Sequence, residues 1–234
     1  MARVTSPGRP DVRVRERLLS VNVGRPVELP HRGRTVRTGI VKSPVRGRVA
    51  LRRLNLEGDG QADLSVHGGE EKAAYVYSWD AYLWWMEELG RRLQPGELGE
   101  NLTVTGLADG EVRIGDVLRV GEALVAVTGP REPCYKLGIR MGDPRFPAHF
   151  LRANRVGFYV RVLEEGTVGA GDEVTRERSD PESPTIAEIH RLYAHARDDR
   201  PALRRLVASP ALPTRWREWA ERRLAHAERR QRAG

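Results

Sequence analysis

The stretch Val112-Arg113-Ile114-Gly115-Asp116-Val117-Leu118-Arg119-Val120-Gly121-Glu122-Ala123-Leu124-Val125-Ala126-Val127 decides the fold class. Apolar and polar residues alternate along it, and the pairs Gly115-Asp116 and Gly121-Glu122 fall where the alternation breaks. A period of two marks strands with one face on a core, and Gly-acid pairs mark tight turns, so the segment reads as a β-meander. Similar runs flank it. Leu18-Leu19-Ser20-Val21-Asn22-Val23 closes at Gly24-Arg25-Pro26. Residues 36–42, 45–56, 157–163 and 172–178 read as further strands, with Ser43-Pro44 breaking the first of these from the second. Many short, closely spaced strands predict a mainly β (α+β) fold with a barrel or sandwich.

Helical spacing enters at residues 72–89, where Tyr75, Trp79, Tyr82 and Met86 share a stripe and Gly90 ends it. That stripe is expected to pack on the sheet. A second helix is expected from Asp143 as N-cap, with Pro144 at its first position. The linker Arg178-Ser179-Asp180-Pro181-Glu182-Ser183-Pro184 then precedes a change of character. Thr185 and Glu188 form a capping box, Ile186, Ile189 and Tyr193 keep helical spacing, and residues 201–208 and 214–229 supply two more helices. The expectation is a β domain over residues 1–180 and a small three-helix domain over 181–234.

Composition narrows the function. The chain has 234 residues, 39% hydrophobic and 31% charged, enough to bury a core. No run approaches the ~20 apolar residues that span a bilayer. The opening Met-Ala-Arg-Val-Thr lacks an apolar segment, so a cytoplasmic protein without a membrane span is expected. Cysteine occurs once, at Cys134. That excludes an intrachain disulfide, a four-cysteine zinc site and an iron–sulfur cluster held by several cysteines. The net charge is +8, and of 40 basic residues only Lys42, Lys72 and Lys136 are lysines. Residues 181–234 hold twelve arginines against seven acids, so five of the eight net charges lie in the tail. The tail is the natural place for a partner, but no helix-turn-helix, zinc or aromatic RNA-platform signature accompanies it, which argues against nucleic acid.

Four loop clusters carry residue types suited to chemistry. Leu56-Glu57-Gly58-Asp59-Gly60 is the first. In the second, Val66-His67-Gly68-Gly69, the glycines let backbone N–H groups converge on an anion, with His67 and Lys72 beside them. In Gly99-Glu100-Asn101-Leu102 the polar pair precedes a strand and suits the edge of a heterocycle. The fourth is Thr128-Gly129-Pro130-Arg131-Glu132-Pro133-Cys134-Tyr135-Lys136, where two prolines disfavour helix and stiffen the loop. Arg131 and Lys136 flank the thiol with positive charge, which favours the thiolate, a nucleophile and a soft metal ligand.

In order and spacing, Gly58-Asp59, His67-Gly68-Gly69, Gly99-Glu100-Asn101-Leu102, Gly115-Asp116 and Pro133-Cys134-Tyr135-Lys136-Leu137 resemble the MOSC domain. That family is named after the C-terminal domain of molybdenum-cofactor sulfurase. The likeness runs over residues 18–178 and is greatest to the bacterial YiiM type, in which three helices follow the barrel. The resemblance implies a MOSC-like β-barrel with flanking helices that binds a molybdenum cofactor (Mo-molybdopterin). It also implies reduction of N-hydroxylated compounds (hydroxylamines, hydroxylaminopurines, amidoximes) to amines by two electrons, with N–O cleavage and loss of water. Under it Cys134 is the molybdenum ligand, His67 a proton relay, and Gly68, Gly69 and Asn101 shape the pocket. Arg131, Tyr135 and Lys136 hold the cofactor's phosphate or pterin, and Asp59 and Glu100 hydrogen-bond the pterin or the substrate. Relatives with an appended ferredoxin carry extra cysteines that this chain lacks. Its electrons are therefore expected from a separate flavoprotein or ferredoxin-type protein, with the basic tail as dock. Pyridoxal phosphate binding has no support.

Other readings stay open on the sequence. Cys134 also suits a molybdenum-cofactor or sulfur carrier that receives sulfur as a persulfide. A cysteine hydrolase would pair Cys134 with His67 or His149.

Overall fold

The computed structural model describes residues 16–62 and 68–233. Eight strands form one sheet. In spatial order they are β12 (Val174–Arg178), β8 (Val117–Val120), β9 (Ala123–Pro130), β10 (Phe158–Glu164), β6 (Ala74–Ser78), β7 (Leu102–Val104), β1 (Leu18–Val23) and β4 (Ser43–Pro44). Neighbours are antiparallel except β6 and β7. The sheet curls until its ends meet: Leu18 N donates to the Asp172 carbonyl at 2.9 Å, Gly171 N to Leu18 at 2.7 Å and Val174 N to Glu16 at 2.9 Å. Two small ribbons complete the β structure, β2 (Val27–His31) with β3 (Arg34–Thr38) and β5 (Arg48–Leu51) with β11 (Gly166–Gly169). The fold is α+β.

The turn at Gly121-Glu122 joins β8 to β9, as the alternation predicts, and Gly121 has φ 55°, which glycine adopts without steric cost. Residues 112–114 form no strand; Arg113 makes only an isolated bridge to Thr185. Ser43-Pro44, read as a break, is itself a short strand on the sheet edge, where a proline is tolerated. The strands expected over 36–42 and 45–56 shrink to the end of β3 and to β5.

The helix expected over 72–89 is corrected. A single 3-10 turn (Glu70–Lys72) leads into strand β6, and helix α1 is Trp79–Leu89. Ala74-Tyr75-Val76-Tyr77-Ser78 is buried throughout, between β10 and β7. Such a central strand shows no alternation, and the spacing from Tyr75 to Trp79 straddles a strand–helix junction. The Ser78 side chain caps α1 by accepting from Asp80 N at 3.2 Å, and Gly90 ends it at φ 62°. The helix expected from Asp143 starts instead at Phe146. Asp143 closes a turn by accepting from Arg145 N at 2.9 Å, and α3 is Phe146–Arg152. Ahead of it lies α2 (Tyr135–Met141), unexpected because Pro130 and Pro133 mark the preceding residues as loop.

Two cores result. Under α1, Trp85 stacks on Phe150 with ring centroids 5.5 Å apart, and its Nε1 donates to the Tyr77 hydroxyl at 2.7 Å. Inside the curled sheet, Val21, Val104, Leu118, Val125 and Phe158 form the main core. Ile186 and Ile189 of α4 (Ile186–Ala194), Leu203 of α5 (Arg200–Ala208) and Trp216 of α6 (Thr214–Ala233) belong to the same core. The capping box at Thr185 and Glu188 is formed as expected.

Candidate active site

Beyond the end of β9 the chain turns through Arg131 and Pro133 to Cys134, which is extended (φ −118°, ψ 175°) and immediately precedes α2. Pro133 fixes its own φ and biases Glu132 toward extended backbone, so the thiol stands on a stiff support. Cys134 is half-buried in the wall of a half-open cleft. The loops after β3 and β5, the Lys72 turn, β6 and β10 complete its walls.

Opposite the thiol loop, a buried polar network fixes the cleft. Asp59 accepts from the Lys42 ammonium at 2.5 Å, from Asn101 Nδ2 at 3.0 Å and from Gly24 N at 2.9 Å. The Asn101 carbonyl oxygen accepts from Tyr75 N at 3.1 Å, which ties the network to β6. Lys42 is 8% exposed. Burial holds its ammonium below the ordinary lysine range, and the adjacent Asp59 charge opposes that shift. Arg131 donates to the Leu98 carbonyl at 2.5 Å, and its guanidinium lies 4.6 Å from the centroid of the Tyr75 ring.

Asp59, Asn101, Arg131, Cys134 and Lys136 therefore come together on one cleft, from segments far apart in sequence. Glu100 does not line it. This carboxyl is fully buried and accepts from Tyr82 Oη at 2.8 Å, Gly96 N at 2.6 Å and Thr103 Oγ1 at 2.8 Å. Burial pushes its pKa up, with those donors opposing. Tyr135 points elsewhere; it is half-exposed and its ring lies 5.5 Å from that of His31. Gly68 and Gly69 do not line the cleft either, but Gly69, at φ 89°, opens the turn that carries Lys72, whose N–H donates to the Gly69 carbonyl at 3.0 Å. His67 lies outside the described residues. His149 is not on the cleft: its Nε2 is 3.2 Å from Glu88 Oε1 on α1, which removes it as a partner for Cys134.

The sequence reading missed Lys42, Tyr75, Glu132 and Tyr159 as lining residues. For Lys42 a signal existed, the scarcity of lysine in the chain; Tyr75 belongs to the helical stripe expected to pack on the sheet, and Tyr159 lies within the strand expected over 157–163. The tail's arginines are mostly engaged within the protein. Arg204 pairs with Glu228, Arg223 and Arg230 with Asp198, and Arg191 with Asp199, while Arg217 donates to the Val207 and Ser209 carbonyls. Among the described residues no helix is long and apolar enough to cross a membrane.

Comparison with known proteins agrees with this architecture. Residues 63–175 match the MOSC domain, and residues 184–227 match the YiiM-like, 3-alpha helix domain. The chain is 40% identical over 200 residues to YflK of Bacillus subtilis, covering 86% of this chain and 90% of that protein. It is 33% identical to YiiM of Escherichia coli, covering 80% of this chain and 85% of that protein. A Gibberella moniliformis protein named Reductase is 35% identical over 162 residues, 68% of this chain but 28% of that longer protein. The crystal structure of YiiM from Geobacillus stearothermophilus superposes with a TM-score of 0.75 at 34% identity, covering 89% of this chain and 99% of that one. With its curled sheet, its three C-terminal helices and these relatives, the chain belongs to the MOSC family, in the YiiM-like branch.

Proposed function

We propose that the protein is a molybdenum-cofactor-dependent reductase of N-hydroxylated compounds, with Cys134 as the single protein ligand to the metal. The observation that carries this reading is the setting of the thiol. Cys134 is half-buried on a cleft with Lys42, Lys72, Arg131 and Lys136 in its walls. Among the described residues there is no group of three or more His, Cys, Asp or Glu side chains able to hold a metal ion. A molybdenum held by Cys134 would take its other ligands from the cofactor's organic group, and a soft sulfur donor among cationic side chains fits such a group. The cations suit the phosphate of such a group, and the backbone around Gly99 suits a heterocycle edge.

When bound, the molybdenum centre supplies the two-electron chemistry that cleaves the N–O bond. The chain's own contribution is positional. Asp59 holds the Lys42 ammonium and fixes the Asn101 amide, whose other N–H donates to the Asn22 carbonyl, so the Lys42 charge and this wall of the cleft are set before anything enters. Arg131, clamped between the Leu98 carbonyl and the Tyr75 ring, is a fixed positive charge beside the thiol loop. Electrons come from a separate electron-transfer protein of flavoprotein or ferredoxin type.

The test is the molybdenum and pterin content of protein made in a host competent for the cofactor, with reduction of an N-hydroxylated base by a chemical electron donor. Near-stoichiometric molybdenum in the wild type, lost in Cys134→Ser together with the reduction, is the expected result. Folded wild type that takes up neither molybdenum nor pterin overturns the reading and favours a sulfur carrier on the same cysteine.

A further inference from the structure

The β2–β3 hairpin turns at Arg32-Gly33, with φ 48° and 75°. A two-residue turn with both central residues at positive φ is ordinarily filled by Asn, Asp or Gly. Here an arginine takes the first position, so the tip carries an exposed charge at a conformational cost. Arg34, on β3, is exposed as well. The hairpin's one acid, Glu28, lies opposite Arg37 in the register, so the excess charge falls on Arg25, Arg32 and Arg34.

This hairpin faces α2 across a wide groove. His31 and Tyr135 bridge it with ring centroids 5.5 Å apart, and Arg32, Arg34 and Ile139 stand in its walls. Helix α2 adds Lys136 and Arg140 and holds no acid, and Asp143 beyond it pairs with Arg145. Residues 1–15 and 63–67, outside the described residues, hold four arginines and two acids, too few acids to neutralise this face wherever they lie. The other basic segment, the tail, spends its charge within itself: Arg191, Arg204 and Arg223 all pair with tail carboxylates.

The groove adjoins the thiol cleft along two elements. Strand β3 runs from Arg34 in the groove to Thr38 in the cleft. Tyr135, 51% exposed, is the residue after Cys134. Electron transfer slows steeply with distance, so a donor must dock beside the thiol. The chain's one cysteine cannot hold an iron–sulfur relay to carry electrons in from farther away.

We propose that the hairpin and α2 form the docking face for an acidic electron-transfer protein of ferredoxin or flavodoxin type; the proposal rests on the reductase reading above. Two reduced ferredoxins, docking in turn, are each oxidised by one electron. With those two electrons and two protons from solvent, the N–O bond of R–NHOH breaks to give R–NH2 and water. The face suits such a partner. Arginine and aromatic side chains are favoured at interfaces, and redox encounters need only a small contact. Exposed like charges steer an oppositely charged partner and raise its rate of association.

The test compares two donors on cofactor-loaded enzyme: an acidic plant-type [2Fe–2S] ferredoxin, and reduced methyl viologen, which needs no docking face. Arg32→Asp combined with Arg34→Glu is expected to lower ferredoxin-driven kcat/KM about 10-fold at low salt and to leave viologen-driven kcat unchanged. Aspartate tolerates the positive φ at residue 32, and Arg34→Gln, a milder change, is expected to give a smaller loss of the same kind. Added salt is expected to slow the ferredoxin reaction of the wild type and narrow its lead over the variant. Arg229→Glu, an exposed position of the tail, is expected to change neither reaction. Variants that keep the ferredoxin-driven rate, or a loss that follows Arg229→Glu instead, overturn the proposal. So does wild type that turns over with viologen yet takes no electrons from ferredoxin, or cofactor-free protein that binds a single-stranded oligonucleotide through Arg32 and Arg34 in ferredoxin's place. In all these cases the reductase reading stands, whereas loaded wild type that reduces no N–O bond with viologen overturns both.

Discussion

The Arg215 guanidinium, at the start of α6, donates to the carboxylate of Glu132, two residues before Cys134. The C-terminal helices are thus fastened to the loop that carries the thiol. Around this pair, Tyr193 of α4 meets Trp216 edge-on at 5.8 Å, and Trp216 lies directly over Gly129. Deleting residues 181–234 would strip Ile186, Ile189, Leu203 and Trp216 from the main core, so charge substitutions rather than truncation suit any study of this segment as a docking face.

Removing the clamp separates its two effects. The Arg215 and Glu132 side chains are 55% and 22% exposed, so Arg215→Ala is expected to cost less than about 1 kcal/mol in urea unfolding. The same change frees the thiol loop, and hydrogen exchange at residues 131–134 is expected to accelerate. Exchange unchanged from wild type would show that Pro130 and Pro133 alone hold the loop.

Gly129 is where β9 meets α6 most closely. A Cβ built there lies 2.1 Å from Trp216 Nε1, and Trp216 is 5% exposed, so neither side has room to yield. Gly129→Ala is expected to destabilise the fold by about 1–3 kcal/mol through overpacking. Adding Trp216→Phe removes the obstructing nitrogen, and a double-mutant cycle should show the two changes coupled rather than additive.

Where the sequence could be read and where it could not follows from what each element depends on. The β8–β9 hairpin, β1, β10, β12 and the three tail helices were legible because alternation, Gly-bearing turns and a capping box are local signals. Strand β6 was not, since its residues are buried on both faces and its partners, β10 and β7, are remote in sequence. Of the cleft, Cys134, Arg131, Asp59 and Asn101 were legible as charged or polar residues in glycine- and proline-rich loops. Lys42 was not singled out, because its role depends on Asp59 reaching it across 17 positions. Glu100 had the residue type for ligand recognition, yet its side chain is committed to Tyr82, Gly96 and Thr103.

The Lys42–Asp59 pair has a stability cost that depends on pH. Both side chains are nearly inaccessible, at 8% and 2%, so Asp59→Asn leaves a buried ammonium without its counter-charge. About 3–5 kcal/mol of stability is expected to be lost at pH 7. The sign of the pH effect follows from Lys42 titrating below its ordinary 10.5 in the fold. Between the folded and unfolded values the unfolded chain binds more protons, so stability rises with pH there. Without Asp59 the folded value drops further and that window widens downward. The penalty measured by denaturant unfolding should therefore shrink from pH 7 to pH 10; a penalty that does not change with pH would mean Lys42 keeps its proton throughout.

Glu100 distinguishes a scaffold role from a binding role. Its Oε1 takes three hydrogen bonds, while Oε2 is buried with no partner. Burial raises its folded pKa above the ordinary 4.5, so the stability it contributes is present in full below 4.5 and is lost as pH rises through the folded value. Glu100→Gln preserves the shape and the acceptor but does not titrate. Relative to wild type, the variant is expected to gain stability as pH climbs above 4.5, with the molybdenum uptake proposed for Cys134 unchanged. The same titration, read by unfolding and by metal analysis together, settles the role: a variant that folds normally but loses molybdenum would make Glu100 a cofactor contact, whereas unchanged molybdenum would make it a scaffold residue, its Oε1 tying α1 and the Gly96 turn to Thr103 of β7.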